Sequence, residues 1–100
     1  MKYGHYQPST KMILYEGAPE AATRAAEKAA AELRSQGRKA EIIDFKGNAE
    51  EAAHSFFSCL RKLDSENPDQ IICVGVPEEG PGEAVMDRMR KAAGYHIVRV

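Results

Sequence analysis

Met12-Ile13-Leu14-Tyr15-Glu16-Gly17 is an apolar run that stops on a carboxylate and a flexible residue. A second run, Ile71 to Val76, stops on Pro77-Glu78-Glu79-Gly80-Pro81-Gly82-Glu83. Both runs are apolar on successive residues rather than on alternate ones, the mark of strands buried on both faces, and this places them at the centre of a parallel sheet. If the two strands are neighbours, the acids that follow them converge on one crevice at the carboxyl ends of the strands. Hard oxygen donors gathered in that way suit a divalent cation better than a phosphate.

Working outward, the chain alternates with short connections. Strands are expected over 11–16, 40–45, 70–76 and 95–100, and helices over 19–36, 49–64 and 82–93, giving βαβαβαβ. In the first helix Ala22, Ala25, Ala26, Ala29, Ala30 and Leu33 recur at helical spacing, Pro19 suits an initial turn and Gly37 a stop. This alanine face is shallow, so the helix should lie close to its sheet. In the second helix Ala52, Ala53, Phe56, Phe57, Leu60 and Leu63 form a wide stripe, with Asn48 as amino-terminal cap and Asn67-Pro68 as breaker. The third carries Val85, Met86, Met89, Ala92 and Ala93, and ends at Gly94.

Glu41 and Asp44 in the second strand and Arg99 in the last mark those two as edges. Right-handed crossovers then favour the order 2-1-3-4 with helices on both faces, a three-layer α/β/α, Rossmann-like arrangement whose crevice lies between strands one and three. Residues 1–10 have no period and include Gly4 and Pro8, so they read as a flexible lead-in to one domain over 11–100.

One hundred residues, 43% apolar and 29% charged with a net charge of −1, describe an ordinary globular domain with no electrostatic pull toward nucleic acid or membrane. A polyanion would have to be reached through a metal or a partner protein. No apolar run approaches the ~20 residues that span a bilayer, and the amino terminus lacks the apolar stretch of a secretory signal; a cytoplasmic setting is expected. Cys59 and Cys73 read as structural thiols, and His5, His54 and His96 are too scattered to suggest a cluster. The loop after the first strand has neither Gly-x-Gly-x-x-Gly nor a Walker lysine, and its acidic surroundings oppose a bare nucleotide phosphate.

Each candidate residue also has a plainer reading. Glu16 and Gly17 suit any strand end. Glu78, Glu79 and Glu83 meet the positive end of a helix, worth ~0.3–1 kcal/mol each. Asp44 would sit beside Glu16 in the order above, shaping the crevice or capping a turn. Lys46, Arg88, Arg90, Lys91 and Arg99 read as solvated surface. Tyr3 and Tyr6 suit base stacking or local packing.

With these elements in place the chain resembles the Toprim domain of primases, topoisomerases and small nucleases. That family opens with an apolar strand ending in Glu-Gly, as Met12 to Gly17 does. Its third strand ends in Asp-x-Asp before a glycine and a helix, and Gly82, Glu83 and the helix from Ala84 fit that frame, with Pro77 and Glu79 at the two aspartate positions. Phe45-Lys46-Gly47-Asn48 is similar to the Gly-Lys-x-Asn turn of some Toprim nucleases. The resemblance implies Mg²⁺ held by Glu16, Glu79 and Glu78, Glu16 as general acid or base, and Lys46 near a phosphate. It implies action on nucleic acid as a Mg²⁺-dependent phosphoryl-transfer or nuclease centre, or as a degenerate relative that lost the chemistry, working beside a partner protein or further domain. The alternative from the residues alone is a flavodoxin-like or Rossmann-like binding or scaffold domain, natural or engineered.

Overall fold

The computed structural model describes residues 8–100. Its elements follow in the order β1 (Met12–Glu16), α1 (Pro19–Ser35), β2 (Ala40–Ile43), α2 (Ala49–Ser65), β3 (Gln70–Val74), α3 (Pro81–Ala92) and β4 (Ile97–Arg99). All seven expected elements are present. Pro19 opens α1, and the Asn48 side chain accepts the Glu51 amide at 3.0 Å, satisfying one of the donors that a helix start leaves free.

The four strands are parallel, in the order β2-β3-β1-β4. β1 and β3 are neighbours and β2 and β4 are the edges, as the hydropathy pattern required, but β1 and β3 have exchanged places relative to 2-1-3-4. The reason lies in what handedness fixes. A right-handed crossover moving one way along the sheet lies on one face, and one moving the other way lies on the opposite face. In either order β1 to β2 moves one way, while β2 to β3 and β3 to β4 move the other. Handedness therefore assigns α1 to one face and α2 and α3 to the other without saying which strand α1 crosses.

Packing supplies that choice. Ala22, Ala26 and Ala30 present a flat face that lets α1 lie over β3, against Ile72 and Val74. On the other side Phe56 and Leu60 of α2 and Val85 and Met89 of α3 share one cluster with Met12, Leu14, Ile71 and Cys73. β3 is thus enclosed on both faces, whereas Ile13 and Tyr15 of β1 are half-buried. The buried positions of α2 are Ala52, Phe56, Leu60 and Asp64, a stripe at intervals of four that ends on an acid. Among the described residues, no helix is long and apolar enough to cross a membrane.

The loop between β3 and α3 folds tightly onto the helix start. A Cβ at Gly82 would overlap the Pro77 carbonyl oxygen and press on the Ala49 side chain. Close approach of backbone, rather than an unusual φ, demands glycine there. Gly82→Ala is expected to destabilise by about 1–3 kcal/mol, read as a fall in Tm of roughly 5 °C or more in thermal unfolding.

Candidate functional site

The loops that leave β1 and β3 depart from the same end of the sheet toward opposite faces, because α1 and α3 lie on opposite sides. Between them stands Arg90 of α3. Its Nε donates to Glu16 Oε2 at 2.8 Å and its Nη2 to Glu16 Oε1 at 3.2 Å, a two-pronged grip on one carboxylate. Nη1 donates to Glu78 Oε2 at 3.0 Å, and Nη2 lies 2.9 Å from Glu78 Oε1. Arg99, at the end of β4, is 4.0 Å from Glu16 Oε1. The Glu16 side chain is only 12% exposed and that of Arg90 23%, while Glu78 is 49% exposed.

The acids after the two central strands therefore do converge, for Glu16 and Glu78, and the cation they converge on is a guanidinium. The hydrogen bond from Arg90 holds the Glu78 carboxyl below its usual range, against slight desolvation and with help from the charges of Arg90 and Arg99. The bonds to Glu16 and then to Glu78 push Arg90 the other way, deeper into its charged form. Glu79 stands apart from this cluster: its side chain is exposed and its carbonyl accepts the Gly82 amide at 2.9 Å. Glu83 lies exposed in the first turn of α3.

The backbone of the β1 loop is held as firmly as its side chain. Val100 N donates to the Glu16 carbonyl at 2.8 Å, and Gly17, at φ 139°, passes so close to the Val100 carbonyl that a Cβ would overlap it. Glycine at this strand end is a packing requirement.

Asp44 is separated from Glu16 by β3, since β2 pairs with β3 and not with β1. It accepts from Thr23 Oγ1 and from the Lys46 amide, both at 2.8 Å, and so joins α1 to the loop after β2. The Lys46 ammonium is 73% exposed and 3.7 Å from Asp44 Oδ2, beside an open cleft of about 320 Å³ lined by Pro19, Glu20, Thr23 and Arg24. Burial, and then the charge of Asp44, push the Cys73 thiol far up, so it stays protonated; Cys59 is half-buried and also free. His96 Nδ1 lies 3.0 Å from the Ala93 carbonyl and His54 is exposed on α2. His5, Tyr3 and Tyr6 lie outside the described residues. Among the described residues, no three or more His, Cys, Asp or Glu gather to hold a metal ion.

Two residues that hold the ends of the sheet, Arg90 and Asp64, carry no motif that marks them in the sequence. Arg90, expected on the solvated surface, is largely covered instead, because it follows Met89 at the border of the apolar stripe of α3, where a long side chain can reach back over the sheet end. Asp64 falls on the stripe of Phe56 and Leu60, where the sequence pattern expects an apolar residue. Its partners, Ser9 and Thr10, belong to the stretch read above as a flexible lead-in.

Comparison with known proteins changes the family. The profile of the threonylcarbamoyl-AMP synthase C-terminal domain matches residues 1–94. The chain is 37% identical to the threonylcarbamoyl-AMP synthase of Pyrococcus abyssi over 111 residues, covering 100% of this chain and 33% of that one. It is 29% identical to the Bacillus subtilis synthase, covering 99% of this chain and 32% of the relative. The chain thus spans about a third of the length of these curated relatives. Among solved structures, P. abyssi Sua5 complexed with L-threonine superposes with a TM-score of 0.88 at 37% identity, over 100% of this chain and 33% of that one. A C-terminal Sua5 domain from Pyrococcus horikoshii gives 0.74 at 33% identity, over 93% of this chain and 99% of that one.

These likenesses overturn the Toprim resemblance, and with it the nuclease and magnesium readings drawn from that family. The physical source of the error is visible. Glu-Gly at the end of β1 answers a guanidinium and a close backbone crossing, and the position of the family's first aspartate holds Pro77, whose carbonyl packs on Gly82. The alternative of a non-catalytic flavodoxin-like or Rossmann-like binding or scaffold domain gains no support as a main reading either, since the relatives are named as synthases of which this chain spans about a third.

Arg90→Met is expected to destabilise by about 2–3 kcal/mol, since it leaves the nearly enclosed Glu16 carboxylate without its partner. Adding Glu16→Gln to that variant should recover most of the loss, and urea unfolding of the single and double variants measures both. A depressed folded-state pKa at Glu78 means that its contribution is present above the usual value of 4.5 and fades as pH falls through the lower folded value. The urea midpoint of the unaltered chain should accordingly drop more steeply in that acid window than that of Glu78→Gln.

Proposed function

Because the chain belongs to the family of the threonylcarbamoyl-AMP synthase C-terminal domain, we propose that it serves as that part of a synthase which forms threonylcarbamoyl-AMP from L-threonine, a one-carbon carboxyl donor and an adenine nucleoside triphosphate that gives up its AMP part and releases pyrophosphate. The observation that carries this reading is the end-to-end likeness to one third of a synthase whose solved form is complexed with L-threonine. The local geometry agrees with a domain that contributes through a fixed shape. At the carboxyl end of the sheet Glu16 and Glu78 are tied to Arg90, and the loops that a parallel sheet usually offers to a ligand are drawn together by that grip.

The product's name states its chemistry. Threonylcarbamoyl-AMP is an acyl group activated by an AMP leaving group, so a later nucleophile must consume it. On this reading the nucleic-acid partner is tRNA, reached through the activated product rather than through a metal, and the setting is intracellular.

A chimera tests the proposal. This chain is exchanged for the C-terminal third of the P. abyssi synthase, its folding is checked by cooperative thermal unfolding, and threonylcarbamoyl-AMP formed from L-threonine is measured by mass spectrometry. The folded chimera should form the product at a rate well above that of the synthase lacking its C-terminal third. Product formation no better than that truncated form would overturn the reading.

A further inference from the structure

Asp64 breaks two local rules at once. It lies in the last turn of α2, where the negative end of the helix disfavours a carboxylate. It is also only 8% exposed, at a position of the α2 stripe where an apolar side chain would serve the core. A buried carboxylate persists where hydrogen bonds to its charged form replace the lost water.

Those bonds come from a distant part of the chain. Asp64 Oδ2 accepts from Ser9 N at 3.1 Å and from Ser9 Oγ at 3.2 Å, and Oδ1 accepts from Thr10 N at 2.9 Å. Two consecutive backbone donors are thus held by one carboxylate, immediately before the chain joins the sheet. The next residue already does so, the Lys11 carbonyl accepting the Ile71 amide at 2.9 Å. Ser9 and Thr10 precede β1 and have no strand ladder of their own, so Asp64 takes the place of a neighbouring strand.

In the matching family this is a C-terminal domain, and the relatives are about three times its length. We propose that Asp64 is a positioning residue: by gripping Ser9 and Thr10 it sets the direction from which the preceding polypeptide enters the domain, and so the placement of this domain against the rest of the protein, a role in turnover that rests on the synthase reading above. The carboxylate suits the task because it is itself fixed by α2, whose Phe56 and Leu60 lie in the core. The grip is therefore referenced to the body of the fold and not to a mobile loop.

Two substitutions separate positioning from mere stability. Asp64→Asn keeps the shape and removes the charge, while Asp64→Leu completes the apolar stripe and is the variant expected to fold well without any acceptor. In each, amide hydrogen exchange at Ser9 and Thr10 should accelerate about tenfold or more, while the amides of β3 keep their rates. In the chimera described above each variant should lower kcat for threonylcarbamoyl-AMP several-fold and leave KM for L-threonine unchanged. Unaltered exchange at Ser9 and Thr10 in both variants, or equal acceleration throughout β3, would refute the grip as a positioning device. Local acceleration with undiminished turnover refutes its part in placement. A parent chimera that forms no product counts against the synthase reading instead, and is seen before any Asp64 variant enters the assay.

Discussion

Parallel pairing of β1 with β3, in the register Met12↔Ile71 to Tyr15↔Val74, is the constraint on which the rest of this structure depends. It places two strands side by side whose following helices lie on opposite faces, so the chain parts at the carboxyl end of the sheet. A gap of that kind exposes two loops and must be managed. Here Arg90 reaches from α3 to Glu16 at the end of β1 and to Glu78 after β3, and one side chain bridges the two departures. Charge decides why an arginine does this well: its planar fork meets one carboxylate with two parallel bonds and keeps a further nitrogen for the second.

Much of the fold was legible because it rests on local periodicity. The alanine stripe of α1, the Phe56 and Leu60 stripe of α2, and the uninterrupted apolar runs of β1 and β3 each name an element and the number of faces it buries. The order of the two central strands was not legible, for a definite reason. Exchanging them leaves every connection right-handed and every helix on its own face, so the rules of chain topology are indifferent. The difference resides in the depth of the α1 alanine face, which brings that helix down on Ile72 and Val74. That is a matter of tertiary fit between residues about fifty positions apart.

The site was half legible. That acids after β1 and β3 would approach one another followed from strand adjacency. Adjacency did not separate Glu78, which joins Glu16 at Arg90, from Glu79, the acid expected there first, which stands apart. What lies between Glu16 and Glu78 did not follow either, because an arginine at the rim of an amphipathic helix looks the same in sequence whether it points to water or folds back over a sheet end. Glu-Gly after a strand proved equally ambiguous. In this fold Gly17 answers the Val100 carbonyl that crosses it and Glu16 answers Arg90, so two residues with separate physical duties imitate a metal-site motif.

The same ambiguity, turned around, explains why the two carboxylate anchors differ in kind. At the carboxyl end of the sheet, Glu16 meets a side-chain cation, and both partners carry charge. Loss of either strands the other in a partly desolvated place, but loss of both costs little. At the opposite end, Asp64 meets backbone amides of Ser9 and Thr10. Substitutions at Ser9 or Thr10 other than proline keep both amide donors and can remove only the Ser9 hydroxyl, so most of this contact is set from the side of the carboxylate. An ion pair can be rewritten from either side, whereas a carboxylate on main-chain donors is altered chiefly by changing the carboxylate. Asp64 therefore stands on a core stripe at the unfavourable end of a helix, where neither propensity nor burial would have put it.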